Sequence, residues 1–181
     1  MNGGIGEPML IRPVQMSDVE AFRAMRLEAV RDYPLAFTAD LAETSARPID
    51  WWRDLIARNS GDGAASVIMV ADAGEGAGEL AGMTGLFSPT QPKLSHAASI
   101  WGVYVRPHYR GRGIGEQLLR ACIEWARAKD FVTVKLSVVE GNDVARRCYQ
   151  RVGFTTYGVE PLAVRWEGKY YDETLMALRL K

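Results

Sequence analysis

The sequence predicts one mixed α/β domain covering residues 8–181, after a short flexible segment at residues 1–7. Runs in which apolar and polar residues alternate occur between runs whose apolar residues recur every three or four positions, as strands and amphipathic helices require. The chain has 181 residues, of which 48% are hydrophobic and 24% charged, enough to bury a sizeable core. No internal repeat, low-complexity segment or interdomain linker divides it, so a single domain is expected.

The chain begins with a strand and a helix. Residues 9–14 predict the strand, and Ser17 followed three residues later by Glu20 is the pattern of a capping box that starts a helix. Pro34 ends that helix, because proline lacks the amide hydrogen and its ring clashes with the preceding turn. The buried face of the helix is predicted from residues spaced three or four apart: Val19, Phe22, Met25, Ala29 and Tyr33.

A second helix and a hairpin follow. The helix is predicted to begin at Trp51 and to close before Gly61. Residues 66–73 and 79–88 are strand-like, and the glycine-rich link GEGAG between them predicts a β-hairpin.

The second half of the chain alternates strands and helices. Residues 97–106 predict a strand that Pro107 stops, and residues 131–139 alternate apolar and polar side chains, which predicts another strand. Residues 113–130 predict a helix between them, because four apolar side chains recur at helical spacing: Ile114, Leu118, Cys122 and Trp125.

A short helix and two strands complete the domain. Asn142 is predicted to cap the helix and Gly153 to end it. Residues 154–159 and 170–180 predict the last two strands. The inner face of the short helix is predicted to carry Ala145, Cys148, Tyr149 and Val152.

The balance of charge and the two cysteines argue against several classes of partner and site. Lys plus Arg and Asp plus Glu each number 22, so neither a nucleic-acid nor a membrane partner is expected. Neither a basic, apolar leader nor a run of about 20 apolar residues occurs. Cys122 and Cys148 form no CxxC or Cys/His cluster, which favours reduced thiols, no metal site and a cytoplasmic location.

The segment RPHYRGRGIG, residues 106–115, predicts an anion site between a strand and a helix. Glycines let the backbone approach a phosphate, and the first amides of the helix have no intrahelical partner. Four arginines and one acidic residue, Glu116, lie between residues 106 and 120. A dinucleotide fingerprint would need glycine in place of Glu116, and the Gly-Lys-Ser/Thr of a Walker loop is absent from the sequence.

Two motifs in this region resemble those of the GNAT superfamily of N-acetyltransferases. The first, Arg/Gln-x-x-Gly-x-Gly/Ala, is present as Arg110, Gly113 and Gly115. The second is spread over the short helix that follows. Its members are Asn142, Ala145, Tyr149, Gly153 and Phe154.

The resemblance implies a twisted, mostly antiparallel sheet with a central splayed parallel strand pair and helices on both faces. It also implies that the glycine loop binds the pyrophosphate of acetyl-CoA, and that the preceding strand offers backbone groups to the rest of the coenzyme, including the Val103 N–H to the thioester carbonyl. The coenzyme-binding residues carried over are Val103, Val105, Arg110, Gly111, Arg112, Gly113, Ile114, Gly115, Asn142 and Arg147.

The implied reaction is direct attack of a primary amine on the thioester, with no covalent enzyme intermediate and no metal. Tyr149 matches the family's tyrosine acid, which gives a proton to the departing sulfur. Asn142 caps the same helix and is carried over as the second catalytic residue. The acceptor is expected to be the amine of a small molecule or a peptide.

Several points stay open. Many relatives place a glutamate where this chain has Ser99, so the general base is expected among Glu28, Asp32, Glu140 or a water chain. Another acyl donor or acceptor, including an aminoglycoside-type drug, fits the same motifs. A coenzyme A sensor or interaction module that retains the fold without turnover is the alternative from a different class. Pairing of two copies through edge strands is compatible with the resemblance, and no residue demands it.

Overall fold

The computed structural model describes residues 9–60, 64–74 and 78–181 of the chain. The predicted flexible segment at residues 1–7 lies outside the described residues, as does most of the glycine-rich link of the predicted hairpin. Within the described ranges, no helix combines the length and apolar character needed to cross a membrane.

Twelve strands and helices make up the described chain, and all those predicted from the sequence are present. One helix, α2, was not predicted, and β6 continues seven residues beyond the predicted end at residue 159. In chain order they are β1 (Leu10–Pro13), α1 (Val19–Asp32), α2 (Leu41–Ala46), α3 (Ile49–Arg58), β2 (Ser66–Asp72), β3 (Leu80–Phe87), β4 (Ala97–Val105), α4 (Ile114–Ala128), β5 (Thr133–Val139), α5 (Asp143–Val152), β6 (Thr155–Trp166) and β7 (Lys169–Arg179).

The strands form one seven-stranded sheet in the order β1-β2-β3-β4-β5-β7-β6. Every neighbouring pair is antiparallel except β4 and β5, which are parallel. That parallel pair is short, joining residues 97–99 to residues 133–135. Beyond Ser99 and Lys135 the two strands separate, which confirms the expected mostly antiparallel sheet with a splayed central pair.

Each face of the sheet carries its own hydrophobic core. Along β2, Val67 and Met69 belong to the core on the α4 side, whereas Ile68 and Val70 belong to the core on the α1 and α3 side. Successive side chains of a strand point to opposite faces, and both faces of β2 are buried, so this strand is apolar along its whole length. The expectation of helices on both faces is confirmed.

The start of α1 differs from the predicted capping box. Ser17 is exposed, and Asp18, not Ser17, is the first flanking residue of the helix. The side chain of Asp18 is 4% exposed and accepts two hydrogen bonds from Arg12, at 2.6 and 2.9 Å, and one from the Gln15 N–H at 2.7 Å. Arg12 also donates to Asp72 on β2 at 2.8 Å. A buried ion pair therefore joins β1, β2 and the start of α1.

Replacing Asp18 by Asn is expected to lower the free energy of unfolding by about 2–3 kcal/mol at pH 7, because a buried guanidinium loses a charged partner. Burial acts to raise the pKa of Asp18, but the hydrogen bonds from Arg12 and Gln15 outweigh it and hold that pKa below its usual value. The stabilisation is therefore complete above the unfolded pKa of about 3.9 and is lost as the pH falls through the folded pKa.

Urea denaturation at several pH values measures this difference. Asp32→Asn is the control, since Asp32 pairs with Arg31 at the exposed end of the same helix and its loss should leave the urea midpoint nearly unchanged. Equal midpoints for Asp18→Asn and the unsubstituted protein at pH 7 would contradict the role given to Asp18.

Candidate active site

The separation of β4 and β5 opens a cleft of about 880 Å³. Its walls are residues 100–105 of β4 and residues 136–139 of β5. The turn before α4 and the inner face of α5 close one part of it, and α1 with the segment after it closes another. This volume lies in the upper part of the range found for ligand sites in proteins.

A bulge in β4 shapes one wall of the cleft. Gly85 pairs with Trp101 and Met83 with Tyr104, so Thr84 alone lies opposite both Gly102 and Val103. Gly102 has φ +66°, and a Cβ there would lie 3.2 Å from Nη1 of Arg26. Only glycine adopts this conformation without strain. A bulge leaves the backbone of one extra residue outside the ladder, and here Gly102 and Val103 share a single residue of β3.

The glycine turn, residues 110–115, lies at the start of α4, where the sequence predicts an anion site. Gly111 and Gly113 have φ values of +78° and +72°, and Gly113 caps α4 without a side chain. The first turn of α4 therefore presents its amide groups with no capping acceptor from its own cap residue. A Cβ at Gly111 would meet no atom within 4 Å, so the space beside this turn is open.

Arg110 holds the glycine turn against β4 and α1. Its Nε donates to the carbonyl oxygen of Val105 at 2.9 Å, and its guanidinium lies 4.9 Å from the centre of the Tyr33 ring. Arg110 is therefore fixed beside the cleft and adds positive charge at the end formed by the glycine turn.

Most of the predicted coenzyme-binding residues line the cleft. Arg112 and Arg147 do not: the guanidinium of Arg112 lies over the Tyr109 ring at 5.3 Å, and Arg147 is exposed on α5. The predicted residues that do line it are Val103, Val105, Arg110, Gly111, Gly113, Ile114, Gly115, Asn142 and Tyr149.

Helix α5 presents Tyr149 to the cleft. The Oδ1 atom of Asn142 accepts a hydrogen bond from the Ala145 N–H at 3.3 Å, which starts the helix, and Gly153 ends it with φ +111°. Tyr149 is 7% exposed, and its ring packs against Phe154 at 6.3 Å between centres. Burial, with a smaller contribution from Cys148, raises the pKa of Tyr149, so its phenol stays protonated at neutral pH and donates hydrogen bonds.

The two cysteines occupy different environments. Cys122 is fully buried in the core, as predicted, whereas Cys148 is half-buried and lines the cleft beside Gly115. Burial raises the pKa of both thiols, which keeps them protonated and poor as nucleophiles. Among the residues that the structure describes, no group of three His, Cys, Asp or Glu side chains is placed to hold a metal ion.

None of the three acidic residues predicted as bases lines the cleft. Glu28 accepts hydrogen bonds from the Tyr104 hydroxyl at 2.7 Å and from Nε of Arg106 at 3.0 Å. Asp32 pairs with Arg31, and Glu140 lies outside the cleft walls.

Two charged residues of the cleft were not singled out by sequence reasoning. Glu173 lies on β7 opposite Val139, and Arg26 lies on α1. Neither belongs to a motif, and each reaches the cleft through pairing or packing of distant segments. No local signal in the sequence marks them.

Comparison with known proteins agrees with this geometry. Residues 23–154 match the family described as Acetyltransferase (GNAT) family. An L-methionine sulfoximine/L-methionine sulfone acetyltransferase of Pseudomonas paraeruginosa (strain DSM 24068 / PA7) is 38% identical over 78 residues, which is 43% of this chain and 45% of that protein. The chain thus spans about half the length of such curated relatives.

Solved structures share the fold. A GNAT-family acetyltransferase from Streptococcus pneumoniae superposes with a TM-score of 0.83 at 20% identity, covering 96% of this chain and all of that one. A Salmonella typhimurium protein solved with its cofactor acetyl-CoA superposes with a TM-score of 0.76 at 22% identity, covering 97% of this chain and 95% of that one.

Proposed function

The chain belongs to the acetyltransferase (GNAT) family, and on that premise we propose that it is an acetyl-CoA-dependent N-acetyltransferase acting directly on a primary amine. One observation carries the proposal. The separated strands β4 and β5 enclose a cleft that has an uncapped helix start at one end and a buried, protonated tyrosine in its wall. The helix start would bind the phosphates of acetyl-CoA, and the tyrosine would give a proton to its departing sulfur.

The residues present fit acetyl-CoA. The amides of the glycine turn and the first turn of α4 would hold the pyrophosphate, with Arg110 beside them. A Cβ at Gly115 would lie 3.6 Å from Sγ of Cys148, which is an ordinary contact distance, so this helix start packs directly against α5. Arg112 and Arg147 would contribute at most at the solvent-exposed rim, since neither lines the cleft.

Acetyl-CoA, when bound, supplies the acetyl group as a thioester. The chain's own residues then have three tasks. The Val103 N–H, at the bulge, would donate a hydrogen bond to the developing oxyanion. Tyr149 would hold the proton that the departing sulfur takes up. Asn142 is a positioning residue in this scheme, because its side chain fixes the start of the helix that carries Tyr149.

The acceptor proposed is the amine of a small molecule or a peptide. A relative bears the name of an amino-acid-derived substrate, L-methionine sulfoximine, whose amine belongs to this class. We place the activity in the cytoplasm, because both cysteines are free thiols, the usual state in a reducing compartment.

We also propose that two copies pair through β6. This strand ends the sheet, so one of its edges carries backbone groups without a strand partner. The hairpin of β6 and β7 exposes five large apolar side chains, a grouping typical of an interface. They are Tyr157, Val159, Leu162, Trp166 and Tyr170.

Light scattering after size-exclusion chromatography is expected to give a mass of about twice 20.0 kDa. Val159→Lys should yield the single-chain mass, because a charge on the edge opposes strand pairing. Leu10→Lys is the control, since Leu10 is 60% exposed on β1 at the opposite edge, compared with 57% for Val159. A single-chain mass for the unsubstituted protein, or dissociation by Leu10→Lys alone, would contradict this pairing.

Gly113→Asp is expected to weaken acetyl-CoA binding about 10- to 100-fold in calorimetric titration, because a carboxylate would face the pyrophosphate. The left-handed backbone at Gly113, with φ +72°, makes a side chain there cost about 1 kcal/mol. The fold should still be retained, because aspartate tolerates this conformation better than most residues and an acidic residue at a helix start is favourable. Gly168→Asp is the matched control: Gly168 has φ +77° against +72° at Gly113, and lies in the turn between β6 and β7. Equal acetyl-CoA affinities for the two variants would contradict the placement of the pyrophosphate at the glycine turn.

Release of free thiol from acetyl-CoA over a panel of primary amines tests the activity itself. Tyr149→Phe is expected to lower kcat about 100- to 10,000-fold while leaving acetyl-CoA affinity unchanged, because it removes the proton donor and little else. Tyr171→Phe, on β7 and outside the cleft, serves as the control. Tight binding of coenzyme A with no turnover on any amine would instead support the sensor or interaction module.

A further inference from the structure

Arg26 is a positively charged residue of the cleft without a counter-ion. It lies on α1, and its Nη1 atom is buried with no hydrogen-bond partner. Among the residues that the structure describes, no ion pair involves it. Burial lowers the pKa of Arg26 to about 10, which leaves the guanidinium charged at neutral pH.

Two aromatic rings hold this guanidinium in place. The centres of the Phe37 and Trp101 rings lie 4.9 and 5.3 Å from its Cζ atom. Such contacts orient the planar group and stabilise its charge in part, and they leave its hydrogen-bond donors free. An arginine fixed in this way is prepared to bind a carboxylate through two parallel hydrogen bonds.

The position of Arg26 assigns it to the acyl end of the cleft. Its Nη1 lies 3.2 Å from where a Cβ of Gly102 would be, and Gly102 precedes Val103, the proposed donor to the thioester carbonyl. The phosphate end, at the glycine turn, has its own arginine in Arg110. Arg26 is therefore placed to bind the acceptor rather than the coenzyme's phosphates.

A carboxylate lies in the opposite wall. Two glutamates line the cleft, and Glu116 is paired with Arg151 at 2.5 Å. Glu173, on β7 beside Val139 of β5, takes part in no ion pair within residues 9–60, 64–74 and 78–181. The cleft thus has an uncompensated cation on the β4 side and an uncompensated carboxylate on the β5 side.

We propose that the acceptor is a primary amine that also carries a carboxylate, as a free amino acid does, with its carboxylate on Arg26 and its amine facing Glu173. This inference rests on the proposed acetyltransferase function and names the substrate class for the same cleft. A zwitterion of this kind supplies the opposite charge to each of the two unpaired groups.

Glu173 is given the proton in the transfer step. The ammonium first loses one proton to solvent, and the neutral nitrogen then bonds to the acetyl carbon as the carbon–sulfur bond breaks. The second proton of the nitrogen passes to Glu173, and Tyr149 gives its proton to the sulfur. Return of a proton from Glu173 to Tyr149 through solvent restores both groups.

Calorimetric titration in the presence of saturating coenzyme A tests the proposal without requiring turnover. The probes are the common L-amino acids and their α-carboxamides, which differ in the carboxylate alone. At least one amino acid should bind about 10- to 100-fold more tightly than its carboxamide, and Arg26→Met should abolish that difference. Arg31→Met, at the exposed end of the same helix, should leave it unchanged.

Coenzyme A affinity should be equal in the unsubstituted protein, Arg26→Met and Arg31→Met. Equal affinity shows that a change in amino-acid binding arises in the acceptor site and not in the coenzyme site. Carboxamides that bind as well as the acids, or an unchanged preference in Arg26→Met, would overturn the proposal. If the unsubstituted protein does not bind coenzyme A, the proposed function itself is refuted.

Glu173 is tested by separating kcat from KM with the preferred amine. Glu173→Gln should lower kcat about 100-fold and leave KM for the amine nearly unchanged, because it removes the proton acceptor, whereas Arg26→Met should raise KM for the amine. Glu140→Gln is the control, because Glu140 lies outside the cleft walls. An unaltered kcat in Glu173→Gln would exclude it as the proton acceptor.

Discussion

The site depends on one constraint, that β4 and β5 pair over residues 97–99 and 133–135 and then separate. Buried backbone N–H and C=O groups must find partners, and beyond this point neither strand supplies them to the other. Each strand stays paired on its far side, β4 with β3 and β5 with β7, so the sheet survives the gap. The gap is therefore stable, and a ligand bound in it can form hydrogen bonds with the backbone groups that the two strands no longer offer each other.

Each separated strand is followed in the chain by a helix that begins beside the cleft, α4 after β4 and α5 after β5. In sheets with parallel strands, ligands bind at the carboxyl ends, where helix starts and strand ends meet. The two starts are built differently. The side chain of Asn142 closes the amides of α5, whereas Gly113 has no side chain to close those of α4. The open start is the one available to a phosphate, and the closed one fixes Tyr149.

Local sequence patterns predicted most strands and helices and the two motifs beside the cleft. They could not predict contacts between distant segments. Helix α2 has only six residues, and its Asp40 cap, which accepts a hydrogen bond from the Glu43 N–H at 2.8 Å, is the signal that could have predicted it. Strand β6 was predicted too short because Pro161 interrupts its period, a residue that an edge strand tolerates. Arg26 and Glu173 line the same cleft because of the order of strands and the packing of α1, which no spacing along the chain reveals.

The uncompensated charge of Arg26 lowers the stability of the folded chain and at the same time favours the binding of an anion. A buried cation without a counter-ion costs the folded chain several kcal/mol, and cation–π contacts with two rings offset about 0.5–2 kcal/mol each. Arg12 has Asp18 as its partner and Arg106 has Glu28. Nε of Arg23 is also buried without a partner among the described residues, but Arg23 does not line the cleft, whereas Arg26 does. A chain with equal numbers of acidic and basic residues does not lack carboxylates. The missing partner at Arg26 therefore marks a position that the fold leaves to a ligand, and the binding of an anion there recovers the free energy that folding alone does not.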